Sequence, residues 1–238
     1  MMKFRTLIIG LSAIAAAVIG GNAEAYEVGA VTGGGTITGK VVFTGDVPVK
    51  KIIPTKDTAV CGGPREEPLV MVGADQAVQN AVVYLVEVAK GKAWAEPGKL
   101  PELNNIKCAF EPAVQAIPAG MLDVVNKDPV LHNTHGYYGK RTAFNLALPN
   151  LDQRIPTELK RAGVVRVDCD AHGWMEGWIY VMENPYFAVT GADGKFSIAD
   201  VPPGNYTLVT VQPYTGPIEQ AVTVAEGQAA DLTIELKK

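Results

Sequence analysis

Residues 164–182 read VVRVDCDAHGWMEGWIYVM, and this stretch decides how the chain is expected to fold. The valines at 164, 165 and 167 favour a β-strand that ends at Cys169. Two glycines within the next eight residues favour a tight loop, and the run 178–182 is typical of a returning strand. Three side chains with metal-binding atoms lie on this predicted loop: Cys169, His172 and Met175.

A second candidate segment for metal binding lies upstream, where His132 follows the predicted strand Met121–Val125. Two imidazoles and a thiolate in one plane, with a weak axial thioether, form the ligand set of a blue-copper electron-transfer site. Soft sulfur suits Cu(I), and imidazole suits both oxidation states of copper. We therefore expect one copper ion with four ligands, while zinc, which cysteine and histidine also bind, is the alternative metal. The expected ligands are His132, Cys169, His172 and Met175.

The stretch 104–183 resembles the cupredoxin family. Its Cys-x-x-His-x-x-Met spacing is that of the contracted ligand loop of amicyanin, and the run 132–135, His-Asn-Thr-His, resembles the first ligand segment of that protein. Two residues, Leu131 and Gly173, stand where proline is usual, and neither change removes a ligand. Three further motifs follow in the order usual for the family: Phe110-x-Pro112, Ala119-Gly120 and Asn126-x-Asp128.

The cupredoxin resemblance implies roles for the candidate residues. In that family the loop histidine lies near the surface and is the usual electron exit, so we expect His172 there with Trp174 beside it. Asn133 is expected to tie the two ligand loops together by hydrogen bonding, and His135 to lie behind the ligands rather than to bind the metal. The implied protein carries single electrons on one type 1 copper, with a redox partner such as a c-type cytochrome or a periplasmic dehydrogenase.

Catalysis is not expected from this residue inventory. The chain has three histidines, and only His135 remains once His132 and His172 are assigned to the metal. A catalytic copper cluster needs more imidazoles than that, and the chain has no Gly-x-Ser-x-Gly nucleophile motif. The net charge of −4, without a basic patch, also argues against nucleic acid as a partner.

The amino-terminal 25 residues are predicted to be a signal peptide. Lys3 and Arg5 precede an apolar run over 6–20, and Ala23-Glu24-Ala25 is a small-residue cleavage site. A retained membrane anchor is the alternative, but the apolar run is short. We expect a periplasmic or extracellular protein that begins at Tyr26 and has no membrane span after cleavage.

The three cysteines fit an exported protein. If Cys169 binds metal, Cys61 and Cys108 remain as candidates for a disulfide in an oxidising compartment. We expect the disulfide, because an exported protein rarely keeps exposed free thiols, and two separate buried thiols are the alternative.

The fold is expected to be all-β, because short β-rich runs alternate with Gly, Pro and Asp turns. We expect a cupredoxin Greek-key β-sandwich over 104–183 and a second, small transthyretin-like β-sandwich over 184–238. A flexible, glycine-rich leader is predicted over 26–35, and one or two helical turns near Pro156–Arg161. Met121 and Met182 are predicted to lie in the core.

The carboxyl-terminal region, 184–238, resembles the carboxypeptidase regulatory-like domain. Phe196 and Ile198 alternate with polar residues, and Pro202-Pro203-Gly204 forces a turn before the next strand. The β-rich region 36–103 either supplies further strands of this sandwich, with the cupredoxin inserted into it, or extends the cupredoxin sheet. Such domains suggest a second function, that of a carbohydrate-binding-like or scaffold protein whose metal is structural and not redox-active.

Overall fold

The computed structural model describes residues 26–96 and 98–238, so the predicted signal peptide, 1–25, lies outside the described residues. The described residues form twenty strands, one short helix α1 (Thr58–Cys61) and a 3₁₀ turn (Ala74–Gln76). The all-β fold predicted from the sequence is confirmed. The strands β1 to β20 are, in chain order, Glu27–Val28, Gly35–Phe43, Val49–Ile52, Arg65–Pro68, Val82–Val86, Lys90–Gly91, Glu102–Ile106, Ala109–Glu111, Val114–Pro118, Gly120–Asn126, His132–Tyr138, Arg141–Leu148, Arg154–Leu159, Gly163–Cys169, Glu176–Met182, Phe187–Val189, Lys195–Val201, Gly204–Gln212, Gly216–Val224 and Ala229–Leu236.

The alternation of side chains along each strand determines which residues enter the core. On β14, Val165, Val167 and Cys169 are buried, whereas Val164 and Arg166 are exposed. On β11 the buried positions begin at His132 and recur at every second residue. Successive side chains of a strand point to opposite faces of its sheet, so these two strands deliver Cys169 and His132 to the same interior.

The central sandwich, residues 102–182, consists of two sheets that share one hydrophobic core. One sheet has the strand order β13-β10-β7-β8, and the other has the order β12-β11-β14-β15-β9. Side chains from both sheets are fully buried in the core between them, among them Leu103, Leu122, Leu148 and Ile179.

The split sandwich combines strands from both ends of the described chain. Its sheets have the orders β16-β5-β18-β19 and β17-β2-β20. Strand β2 runs parallel to β20 from Thr36 beside Ala229 to Phe43 beside Leu236, and β5 lies between β16 and β18. Strand pairing therefore places β2 and β5, from the region 36–103, in the carboxyl-terminal sandwich, and the central sandwich is inserted between them and β16.

A loop between β3 and β4 reaches the central sandwich from outside its sheets. Strands β3 and β4 pair with each other, and residues 53–64 between them include α1. We call residues 53–64 the cap segment. A disulfide joins Cys61 at the end of α1 to Cys108, which lies in the turn between β7 and β8 of the central sandwich.

Two predictions about local structure are wrong. The leader is not free, because Glu27 and Val28 pair in parallel with β6 and the Tyr26 hydroxyl donates to the Lys92 carbonyl at 2.5 Å. The residues near Pro156–Arg161 do not form a helix, since β13 pairs antiparallel with β10 and its last residue, Leu159, enters the core. In both places backbone pairing across the fold overrides local composition.

Met121 also departs from its prediction, whereas Met182 is buried. Met121 is 42% exposed, because the neighbouring Leu122 and Val124 take the inward positions of β10. Within the part of the chain that the structure describes, no helix has the length and apolarity needed to cross a membrane.

Candidate metal centre

Two adjacent strands and one loop bring the predicted ligands together. His132 is the first residue of β11, and Cys169 is the last residue of β14, which pairs antiparallel with β11. His172 and Met175 lie on the loop between β14 and β15. The loop is folded tightly, since the amide of His172 donates to the Cys169 carbonyl at 3.2 Å and that of Met175 to the His172 carbonyl at 2.9 Å.

Three ligand atoms lie close enough to share one ion. The Cys169 Sγ is 3.7 Å from Nδ1 of His132 and 3.7 Å from Nδ1 of His172, and the two Nδ1 atoms are 3.1 Å apart. A triangle with these sides has a circumradius of about 2.0 Å, close to the metal–nitrogen distance of about 2.0–2.1 Å in protein sites. The three side chains are buried, so the arrangement excludes bulk water.

Met175 carries a thioether on the loop that also carries His172. It is buried in the same hydrophobic cluster as Cys169. A thiolate, two imidazoles and a thioether form a donor set that fits copper, since soft sulfur favours Cu(I) and imidazole binds both of its oxidation states. The residues present therefore suit the metal that the sequence predicted.

Backbone amides surround the buried sulfur of Cys169. The amide of Asn133 donates to Sγ at 3.4 Å, across the pair of strands that carry the two residues. Burial raises the pKa of the Cys169 thiol, while hydrogen bonds from the amides of Asn133, Ala171 and His172 act in the opposite direction. Binding of a metal cation at this sulfur would release the thiol proton.

His132 is oriented by a buried carboxylate. Its Nε2 lies 2.9 Å from Oδ2 of Asp128. The same carboxylate accepts the backbone amide of Lys107 at Oδ1, at 2.7 Å, and that of Cys108 at Oδ2, at 2.9 Å. An Nε2–H that donates to Asp128 leaves the lone pair of Nδ1 free for a metal. Burial lowers the pKa of His132, and the hydrogen bond to Asp128 opposes that change.

His172 has a matching carboxylate on its other side. Its Nε2 lies 3.0 Å from Oδ2 of Asp57 in the cap segment. His172 is 0% exposed, so the prediction that it lies at the surface is wrong. The physical reason is that the disulfide between Cys61 and Cys108 holds the cap segment against the end of the central sandwich, where it covers the imidazole.

Trp174 lies beside His172, as predicted. The two rings are 5.1 Å apart, and the indole Nε1–H donates to the Cys108 carbonyl at 3.3 Å. Trp174 is half-buried and packs against the central core. Its role as part of an electron exit stays a prediction.

His135 lies outside the ligand group. It is three residues after His132 on the same strand, so the two side chains point to opposite faces of the sheet. Its Nδ1 lies 3.0 Å from Oδ2 of Asp170, its Nε2 lies 2.9 Å from Oγ1 of Thr142, and its ring stacks on Tyr137. This outer cluster fixes Asp170, the residue directly after Cys169, and it places His135 behind the site.

Asn133 ties the two ligand segments together through its backbone, not through its side chain. The amide of Asp170 donates to the Asn133 carbonyl at 3.0 Å, and the Asn133 amide donates to Cys169 Sγ. The Asn133 Oδ1 atom is buried without a hydrogen-bond partner among the described residues. Hydrogen bonds at Asn133 therefore join the two ligand segments, as predicted, and both of these bonds use its backbone.

Sequence reasoning missed one residue and undervalued another. No pattern in the sequence singles out Asp57, and Asp128 stands out only within the motif Asn126-x-Asp128. The available signal for Asp57 was indirect: a disulfide from Cys61 to Cys108 places the residues just before Cys61 near the metal loops. For Asp128 the signal was its spacing of four residues before His132, which let the two side chains meet across the turn before β11.

The carboxyl-terminal part of the chain is similar to a known domain family. The segment 181–237 matches the family model described as carboxypeptidase regulatory-like domain. The match spans β16 to β20. These strands form the split sandwich together with β2 and β5, which precede the central sandwich in the chain. No curated protein matches the chain.

Similar solved structures are cupredoxins. A reduced amicyanin variant is 18% identical and covers 37% of this chain and 86% of its own, with a TM-score of 0.33. A purple cupredoxin from Nitrosopumilus maritimus is 23% identical over 34% of this chain and 99% of its own, with a TM-score of 0.31. A copper-containing nitrite reductase from Thermus scotoductus SA-01 is 21% identical over 39% of this chain, with a TM-score of 0.33, and the chain spans only 24% of that reductase.

Proposed function

We propose that the protein is an exported one-electron carrier with a single type 1 copper. The observation that carries this proposal is the triangle of Cys169 Sγ and the Nδ1 atoms of His132 and His172, with no side longer than 3.7 Å. The thiolate would provide most of the electronic coupling to the metal, and the two imidazoles would complete a trigonal plane. Met175 would be the axial ligand that tunes the reduction potential.

The surroundings of the triangle support electron transfer rather than catalysis. Copper bound here would cycle between Cu(I) and Cu(II). The two imidazoles donate hydrogen bonds to Asp128 and Asp57, which hold the buried rings in position when the charge of the ion changes. The four candidate ligands are all buried, so an ion held by them would be bound by protein atoms away from bulk water.

The decisive experiment is the colour of the copper-loaded protein. A purified sample titrated with Cu(II) is expected to develop intense visible absorption from thiolate-to-copper charge transfer, and to bleach when ascorbate is added. A zinc-loaded sample is the control and should stay colourless. A protein that remains colourless with copper would contradict the carrier function and favour the scaffold function suggested by the regulatory-like domain.

Replacement of Met175 with Leu is expected to raise the reduction potential while copper stays bound. An axial thioether stabilises the oxidised ion more than an apolar side chain does, so its loss favours Cu(I). Leucine is close to methionine in volume and suits the buried position. Voltammetry of the two proteins measures the shift, and Met182→Leu, a buried methionine outside the ligand loop, is the matched control. An unchanged or lower potential would show that Met175 is not axial.

We propose a periplasmic or extracellular redox partner, such as a c-type cytochrome or a dehydrogenase, that receives or delivers electrons near Trp174. Trp174→Ala is expected to slow electron exchange with cytochrome c several-fold, because the indole ring packs against His172 and is half-buried. The copper spectrum should change little, since Trp174 contributes no ligand atom.

Stopped-flow kinetics measures this exchange, with Trp94→Ala as the control. Trp94 is also half-buried, but it packs against Phe187 in the cluster between the two sandwiches. Equal rates for the Trp174 and Trp94 variants would place the electron exit elsewhere on the surface.

A further inference from the structure

Asp57 departs from the usual behaviour of an aspartate at the start of a helix. It stands directly before α1, where an aspartate side chain normally accepts a backbone amide of the first turn. Here the side chain makes no such bond, and the backbone lies in the left-handed region at φ 51° and ψ 31°. The carboxylate is directed instead to Nε2 of His172 at 3.0 Å. The Asp57 carboxylate therefore contacts a candidate metal ligand instead of capping the first turn of α1.

The contact closes one edge of the His172 imidazole. His172 is fully buried, whereas the Asp57 side chain is 38% exposed. The carboxylate therefore lies at the Nε2 edge of the ring and is itself partly open to solvent. This carboxylate comes from the cap segment, which enters from between β3 and β4, whereas the central sandwich places Trp174 beside the same ring.

Covalent and polar links hold the cap segment in place. The disulfide joins Cys61 to Cys108, and Nη1 of Arg65 donates to the Cys61 carbonyl at 3.1 Å. The Cys108 amide in turn donates to Asp128, which binds Nε2 of His132. The turn at Cys108 thus connects the supports of both histidines, and it makes the position of Asp57 part of the same framework.

We propose that Asp57 is a positioning residue of the copper site that accepts the Nε2–H of His172, keeps its Nδ1 directed at the metal and lowers the reduction potential. This inference rests on the proposed function. A carboxylate that accepts a proton of a ligating imidazole makes the ring a stronger donor. Its negative charge, one imidazole ring away from the metal-binding nitrogen, stabilises Cu(II) relative to Cu(I).

The experiment compares three single variants of the full chain with its disulfide intact. Asp57→Asn keeps an acceptor but loses the charge, and Asp57→Ala loses both. The matched control is Glu66→Gln, which also removes one negative charge. Glu66 is an exposed residue of β4, just after the cap segment, and makes no contact with His172 in the described structure. The Asn and Ala variants are expected to raise the reduction potential by more than Glu66→Gln, and all three should keep the visible band.

Exchange of the His172 Nε2–H with solvent provides a readout that is independent of copper redox chemistry. In the Cu(I) protein and in the metal-free protein, ¹⁵N NMR should detect a slowly exchanging Nε2–H in the wild type and in Asp57→Asn. The Ala variant should lose that protection, because no acceptor remains.

The outcomes distinguish a failure of the proposed copper function from a failure of the proposed role of Asp57. A protein that takes up no copper contradicts the proposed function, and NMR of the metal-free form still determines whether Asp57 holds His172. With copper bound, a potential for Asp57→Asn equal to that of Glu66→Gln overturns the role of Asp57 alone. Rapid exchange of the His172 Nε2–H in the wild type overturns it as well.

Discussion

Replacement of Cys169 with Ser is expected to abolish the intense visible absorption of the copper-loaded protein. The band arises from charge transfer between a thiolate and copper, and Cys169 is the unpaired cysteine in the described part of the chain. A serine hydroxyl is similar in size but is a hard, weak donor that does not replace soft sulfur on Cu(I). Absorption and electron paramagnetic resonance spectra of the two proteins at equal copper content measure the loss.

The loss of the band identifies Cys169 as the sulfur ligand only if the serine variant is folded. The far-ultraviolet circular dichroism of the metal-free variant should match that of the metal-free wild type, since the hydroxyl occupies the volume of the thiol. A folded variant that keeps an intense visible band would show that the sulfur on copper is not that of Cys169.

Removal of the disulfide between Cys61 and Cys108 is expected to destabilise the protein by about 4 kcal/mol, from the entropy of a loop of 47 residues in the unfolded chain. The double variant with Ser at both positions should therefore unfold at lower denaturant concentration. Because the cap segment loses its covalent link to the central sandwich, the His172 Nε2–H should also exchange faster with solvent.

A reductant separates the disulfide from the effect of the serines. Wild-type protein treated with dithiothreitol should lose stability, while the double variant should not respond. Alkylation without reductant, followed by mass spectrometry, should label at most Cys169 in the wild type. A wild-type denaturation midpoint that is unchanged by the reductant would contradict a stabilising bridge.

The sequence was sufficient to predict the ligand candidates, because their positions follow from short-range geometry. Cys169, His172 and Met175 lie on one connection between two predicted strands, and the strand boundaries agree with β14 and β15 to within two residues. The separation of His135 from His132 also follows from strand alternation, since an odd spacing of three residues puts two side chains on opposite faces.

The covering of His172 could not be predicted in the same way. Asp57 precedes it by 115 residues, and no periodicity connects the two positions. Strand β13, where the sequence predicts helical turns, differs for a related reason. Its pairing partner β10 begins more than thirty residues earlier in the chain. Local sequence carries propensity and alternation, whereas contacts of this range depend on how the sheets assemble.

The insertion of the central sandwich has a consequence for the order in which the chain folds. The side chains of Thr38 and Asp231 hydrogen-bond across 193 residues, and β2 gains its neighbour β20 only when the end of the chain is available. As the polypeptide emerges from its amino terminus, all strands of the central sandwich are complete while β2 and β5 still lack β16 to β20. We therefore expect the central sandwich to fold first. The split sandwich should form in a slower step, because its strands pair across a long stretch of sequence and such distant pairing forms late. During that interval both backbone edges of β2 lack the partners β17 and β20, and unpaired strand edges of this kind are prone to pair with other chains.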